Sequence, residues 1–208
     1  MTMSFDRFRA HPWHGLSAGA HAPATIDAYI EITPFDATKY EIDKQTGYLR
    51  VDRPQGSSAL PPTLYGFVPR TWCGDRVAAL TPHATVGDKD PLDVCVFSQQ
   101  RIDRAEIVMS ARVVGGIQIL DDGEADDKII AILTSDTVLD YAKDLSKLPK
   151  SIVNRLVHYF GTYKMDIMTG DNPIEVIGTY GADHAKEVVR ASMEDYREEY
   201  GIEDRRQN

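Results

Sequence analysis

The sequence predicts an α+β protein built around a barrel-like antiparallel sheet. Short runs with period-two alternation, or with continuous apolar content, fill the N-terminal and central parts of the chain. Turn residues rather than helices join most of these runs, and helical stripes come only late. A Rossmann-type sandwich would alternate strand and helix from the start.

Residues 1–24 are rich in His, Pro, Gly and Ala, as in His11-Pro12-Trp13-His14-Gly15 and His21-Ala22-Pro23, and read as an irregular arm laid over the body. The arm's histidines suggest zinc, but no carboxylate or thiolate completes a ligand set, so packing or an oligomer contact is expected. From Thr25 to Ile32, Ile26, Ala28, Ile30 and Ile32 alternate with Asp27, Tyr29 and Glu31, the pattern of a half-buried strand. Lys39, Glu41 and Asp43 share a face of the next run. Gly47 then turns the chain into Tyr48–Arg53, making a hairpin. After a Ser- and Pro-rich loop, Leu64–Val68 is a short strand, and Arg70–Gly87 is a connection. Leu92–Ser98, Glu106–Leu120 (bent at Gly115-Gly116) and Lys128–Leu133 are further strands. Helices are expected over Asp136–Leu148, over Lys150–Lys164 with Ile152, Val153, Leu156, Val157 and Phe160 as its apolar stripe, and over Ala182–Tyr200 with Val188, Val189 and Tyr196 facing in. The strand Ile174–Tyr180 separates the last two.

A length of 208 residues suits a single domain with a good core. It divides into the arm (1–24), the barrel and catalytic core (25–180), and a C-terminal helix and tail (181–208) ending at Arg205–Asn208. The net charge of −9 argues against a broad basic face, and so against a nucleic-acid partner. A small anionic substrate stays open if positive charge is gathered locally or delivered by metal. Cys73 and Cys95 lack the spacing of a zinc site or disulfide framework, and Cys95 reads as a small buried hydrophobe. No run approaches the ~18 apolar residues of a membrane span and no signal-peptide core opens the chain. The expectation is a cytoplasmic protein with no membrane partner.

The chemistry concentrates in Asp88-Lys89-Asp90-Pro91-Leu92-Asp93, where three carboxylates sit within six residues at the mouth of an apolar strand. Carboxylates that close repel one another in a partly dry site, and a divalent cation is the usual remedy. Asp121 to Asp127 forms a second acidic turn. It could deliver Asp121 and Asp126 to the same cavity, or could be a solvated loop. Oxygen-only ligands select Mg²⁺ or Mn²⁺ over zinc. Lys39, Arg53, Lys128 and Lys164 lie near element ends beside acidic or aromatic residues; they suit a polyanion carried on metals, or are surface charges. An EF-hand fails, because Leu92 and Asp93 fall where the loop needs Asp and Gly. A haloacid-dehalogenase-type phosphatase fits poorly, since Leu92 fills the place of its Thr or Val.

The Asp88–Val94 segment resembles the D-x-D-P-x-D-V signature of the soluble family I inorganic pyrophosphatases. Glu31 within Ile30-Glu31-Ile32, Lys39–Lys44, Val51-Asp52-Arg53, Tyr65-Gly66-Phe67, Asp121 and Asp126 with Lys128, and His158-Tyr159-Phe160 leading to Tyr163-Lys164 match in the same order. The resemblance runs from about residue 25 to 165. It implies a five-stranded OB-like antiparallel β-barrel with flanking helices, hydrolysing diphosphate to two orthophosphates with several Mg²⁺ ions, Mn²⁺ being the alternative. It further implies that Asp88, Asp93 and Asp126 hold the tightest metal, Asp93 bridging to a second. Asp90 would be the general base for the metal-bridged water that attacks. Asp121 and Asp126 would bind a third ion and Glu31 would help hold a fourth. Lys39, Arg53, Tyr65, Lys128, Tyr163 and Lys164 would surround the phosphates, with Glu41 in support. A homo-oligomer, hexamer or dimer, is implied as well. Two features depart from the pattern. Pro61 stands where many bacterial members have a tyrosine, and both the arm and the Arg70–Gly87 connection are longer. A catalytically idle metal- or phosphate-binding barrel is the reading from a different class.

Overall fold

A computed structural model describes residues 9–56 and 58–201. The tail at Arg205–Asn208 lies outside the described residues, as do the first eight residues of the arm. Among the described residues the fold is mixed α+β, mostly sheet with three helices. Strands β1 (Thr25–Ile32), β2 (Thr38–Ile42), β3 (Leu49–Pro54) and β4 (Leu64–Phe67) come first. A short α1 (Asp75–Ala78) and β5 (Val86–Gly87) lie in the connection. Then follow β6 (Asp93–Phe97), β7 (Ile107–Asp121), β8 (Glu124–Ala125), β9 (Lys128–Leu133), α2 (Lys150–Thr162), β10 (Ile174–Gly181) and α3 (Ala182–Tyr200).

Hydrogen-bonded neighbours run β1-β4-β6-β9-β7-β8-β5, β7 also pairs with β1 and β10, and β2 and β3 form a separate ribbon. The expectation of a wholly antiparallel sheet is corrected, because β6 pairs with β9 in parallel and β5 with β8 likewise. The parallel β6–β9 pair sets Asp93 beside Lys128. Gly66 on β4 is needed where the sheet crowds: a Cβ there would stand 1.9 Å from the Tyr29 carbonyl oxygen.

Three further expectations change. Strand β1 is buried on both faces, with Tyr29 2% and Glu31 6% exposed. Its second face is covered by Phe67, whose ring centroid lies 5.4 Å from that of Tyr29, and by the β2 backbone. The helix expected over Asp136–Leu148 is replaced by turns and one 3-10 turn, Leu145–Lys147. Its own acidic residues compete with the helix: Asp136 accepts from the backbone N–H of Val138 and Leu139, and Asp144 from Ser146. The guanidinium of Arg112 takes the Asp140 and Ala142 carbonyls. Finally, the connection carries α1, whose N-terminal amides of Gly74, Arg76 and Val77 all donate to buried Asp195 of α3. A cap arriving from 118–121 residues away has no local sequence signal.

The described part of the arm packs. Trp13 is buried, its indole N–H donates to the Thr71 carbonyl (2.9 Å), and its ring stacks on Trp72. His14 Nδ1 meets the Tyr196 hydroxyl at 2.6 Å, and His11 Nδ1 accepts from the Trp13 and His14 amides. No described helix is long and apolar enough to cross a membrane.

Candidate active site

The loop before β6 is a tight local structure. Lys89 adopts φ 60°, Asp88 accepts from the Asp90 amide (3.0 Å), and the Asp90 carbonyl accepts from Cys73 (2.9 Å). Its two neighbours, Asp88 and Asp90, line a cavity of about 240 Å³. Of the residues expected from the sequence, Asp88, Asp90, Asp93, Asp121, Asp126, Lys39, Tyr65, Lys128, Tyr163 and Lys164 line it. Glu31 and Glu41 line a smaller adjoining cavity that shares Lys39, Tyr65, Asp90 and Asp93 with the first. Arg53 lines neither; it is bonded to Asp52 (2.7 Å), which Lys39 of the main cavity also contacts. The second acidic turn is thus part of the cavity wall, not merely a solvated loop.

Charge pairing dominates the interior. Lys128, with its side chain 2% exposed, lies between Asp93 (2.5 Å) and Asp126. The Tyr65 hydroxyl also donates to Asp93, at 2.5 Å. Lys164 pairs with Asp121, and Lys44 from the β2–β3 turn pairs with Asp90. Lys39 contacts Asp52 (2.9 Å) and Glu41 (3.1 Å). Burial opposes the charge of Lys128, but Asp126 and Asp93 outweigh it and hold the ammonium well above its ordinary range. Burial opposes the Lys39 charge too, and its bonds to Asp52 and Glu41 prevail.

Several carboxyls are shifted upward too, which for them favours the neutral form. Burial, then the charge of Asp126, pushes Asp88 well up. Burial also raises Asp126, against the pull of Lys128. Glu31 is raised to about 8 by burial, although it accepts from the Ile42 amide at 2.7 Å. Asp88 and Asp126 are close enough for each to act on the other's proton. Carboxylates set that near each other in a partly dry site favour a proton or a cation between them.

That pair tests whether a divalent ion suits the site. As the side chains stand, no three His, Cys, Asp or Glu among the described residues gather around one point to hold a metal. The Lys128 ammonium sits between two of the carboxylates instead. The donors are all oxygen, mostly carboxylate, and six carboxyl side chains line the cavity against three lysines, so a hard cation fits the chemistry.

Sequence reasoning gave no site role to Gln55, Tyr159, Phe160 and Glu124 in the main cavity, nor to Lys44 and Trp13 in the adjoining one. Tyr159 and Lys44 stood within matched segments without a role. Gln55 follows β3 into a loop whose composition carries no signal.

A family model described as Inorganic pyrophosphatase matches residues 28–197. A protein of Chlamydia muridarum named inorganic pyrophosphatase is 45% identical over 195 residues, covering 89% of this chain and 93% of the relative. A soluble inorganic pyrophosphatase of Zea mays is 36% identical over 187 residues, covering 90% and 79% of the two chains. Among solved structures, the inorganic pyrophosphatase of Thermus thermophilus superposes with a TM-score of 0.77 at 29% identity, covering 90% of this chain and 99% of that one.

Proposed function

The chain belongs to the inorganic pyrophosphatase family, hydrolases acting on pyrophosphate, and on that premise we propose that it works with Mg²⁺ and uses Asp90 as its general base. The observation that carries the reading is the single cavity in which Asp88, Asp93, Asp121 and Asp126 gather with three lysines. Asp88, Asp93, Asp121, Asp126 and Glu31 are the residues that would hold the ions, with Mn²⁺ as a substitute. Bound there, divalent ions supply charge to the substrate and lower the pKa of the attacking water.

The rest is work for the chain's own side chains. The Asp90 carboxylate, less buried than its neighbours at 45% exposed, accepts the proton of the water that attacks phosphorus. The P–O bond of the anhydride breaks, and the departing oxygen leaves on the second phosphate. Lys39, Arg53, Tyr65, Lys128, Tyr163 and Lys164 bind and orient phosphoryl oxygens, since in-line displacement rests on positioning and charge stabilisation. Glu41 holds Lys39. Residues 25–180 form the catalytic core, its strands read as a five-stranded OB-like barrel, with the arm and α3 packed outside it as one domain.

The direct test is phosphate release from diphosphate, with ATP and a phosphomonoester as controls. Release should need Mg²⁺ and cease in EDTA; full activity in EDTA removes the metal-dependent reading. Preference for the monoester would point to a general phosphatase, and no release at all to an idle barrel. The protein is further proposed to act in the cytoplasm, without nucleic-acid or membrane partners, as a homo-oligomer of two or six copies. Sedimentation velocity that finds only monomer at micromolar concentration would remove the last point.

A further inference from the structure

Tyr159 has no part in the scheme above, yet it lines the same cavity. It sits on α2, 7% exposed, its ring stacked on Tyr163 (centroids 5.6 Å apart) and edge-on to Phe160. Beside it on the cavity wall are Gln55 and Pro61. The Gln55 side chain hydrogen-bonds the phenol, and the Gln55 amide donates in turn to the Ala37 carbonyl (3.0 Å), anchoring its loop.

The partner is what distinguishes this hydroxyl. Lys39, Lys128, Lys164 and the Tyr65 hydroxyl are each engaged by a carboxylate. Tyr159 is engaged by a neutral amide. Burial, the largest influence, raises the phenol to about 12, so it keeps its proton at neutral pH. The Gln55 bond acts the other way. Among the described residues no carboxylate takes the phenol O–H, and a hydroxyl can donate one hydrogen bond while accepting others. Pro61 offers no donor from its side of the wall.

Resting on the reading that this cavity binds pyrophosphate, we propose that Tyr159 is a substrate-binding residue, donating its O–H to a phosphoryl oxygen of diphosphate. Gln55 is its positioning residue. A hydrogen bond to a charged group is worth roughly 1.5–3 kcal/mol, which converts to about 10- to 150-fold in affinity. Tyr159→Phe keeps the ring and its stacking and removes only the donor. It should lower kcat/KM by about that factor, chiefly through a higher KM. Gln55→Leu should move KM in the same direction by less, and should add nothing in the Tyr159→Phe background.

Calorimetric titration of methylene diphosphonate, a non-hydrolysable diphosphate, reads the same loss without turnover. A thermal melt shows that each variant is folded. An unchanged KM and unchanged diphosphonate affinity in folded Tyr159→Phe would overturn the proposal, as would additive effects of the two substitutions. Failure of the wild-type protein to bind diphosphate would instead overturn the underlying reading, before any variant is made.

Discussion

Asp90→Asn is expected to lower kcat about 10²- to 10⁴-fold, the range for losing a positioned general base, with the melting temperature nearly unchanged. The carboxamide has the same shape but takes no proton at neutral pH. Little structure depends on the charge: its ion-pair partner is Lys44, and both side chains are about half exposed. Exposed pairs of that kind contribute roughly 0–1 kcal/mol. The backbone contacts that shape the loop, the Asp90 amide to Asp88 and the Asp90 carbonyl to Cys73, survive the change. Steady-state kinetics alongside a thermal melt checks the prediction. A variant that turns over normally would remove Asp90 from its assigned role and leave the family membership standing.

Lys128→Met should act on stability and turnover together. The ammonium is the buried countercharge to Asp93 and Asp126, and removing one member of such a set typically costs about 3–5 kcal/mol. Burial already raises Asp126, and losing the cation raises it further. A carboxyl with a raised folded-state pKa binds its proton more tightly folded than unfolded, so its cost appears as pH rises through that pKa and fades as pH falls. The melting temperature of the metal-free variant should therefore fall most at neutral and alkaline pH and recover towards acid. Mg²⁺ should restore part of it, because a divalent ion replaces the lost charge. Turnover should fall by at least ~10²-fold, since a phosphate-facing cation is gone as well. Equal melting of variant and wild type at pH 8 without divalent ion would contradict this account.

Asp88, Asp90 and Asp93 were legible as one site because they are neighbours in sequence at the mouth of an apolar run. Strands with clean alternation and helices with long stripes, such as α2 and α3, were legible for the same reason: their signal lies within a few residues. The segment after β9 was misleading because Asp136 and Asp144 bond their own backbone, which composition does not show. The buried second face of β1, with Glu31 on it, was invisible because its covers, Phe67 and the β2 backbone, come from later strands.

By itself, then, the sequence determined the motif, the order of its companions and the late position of the helices, all set by local spacing. Only the tertiary structure decided what meets what. The parallel β6–β9 register sets Lys128 beside Asp93, and the return of the chain after β7 brings Asp126 against Asp88. The loop after β3 brings Gln55 to Tyr159. These are contacts between residues far apart in sequence, specified by strand pairing and packing, and no short window of residues encodes them.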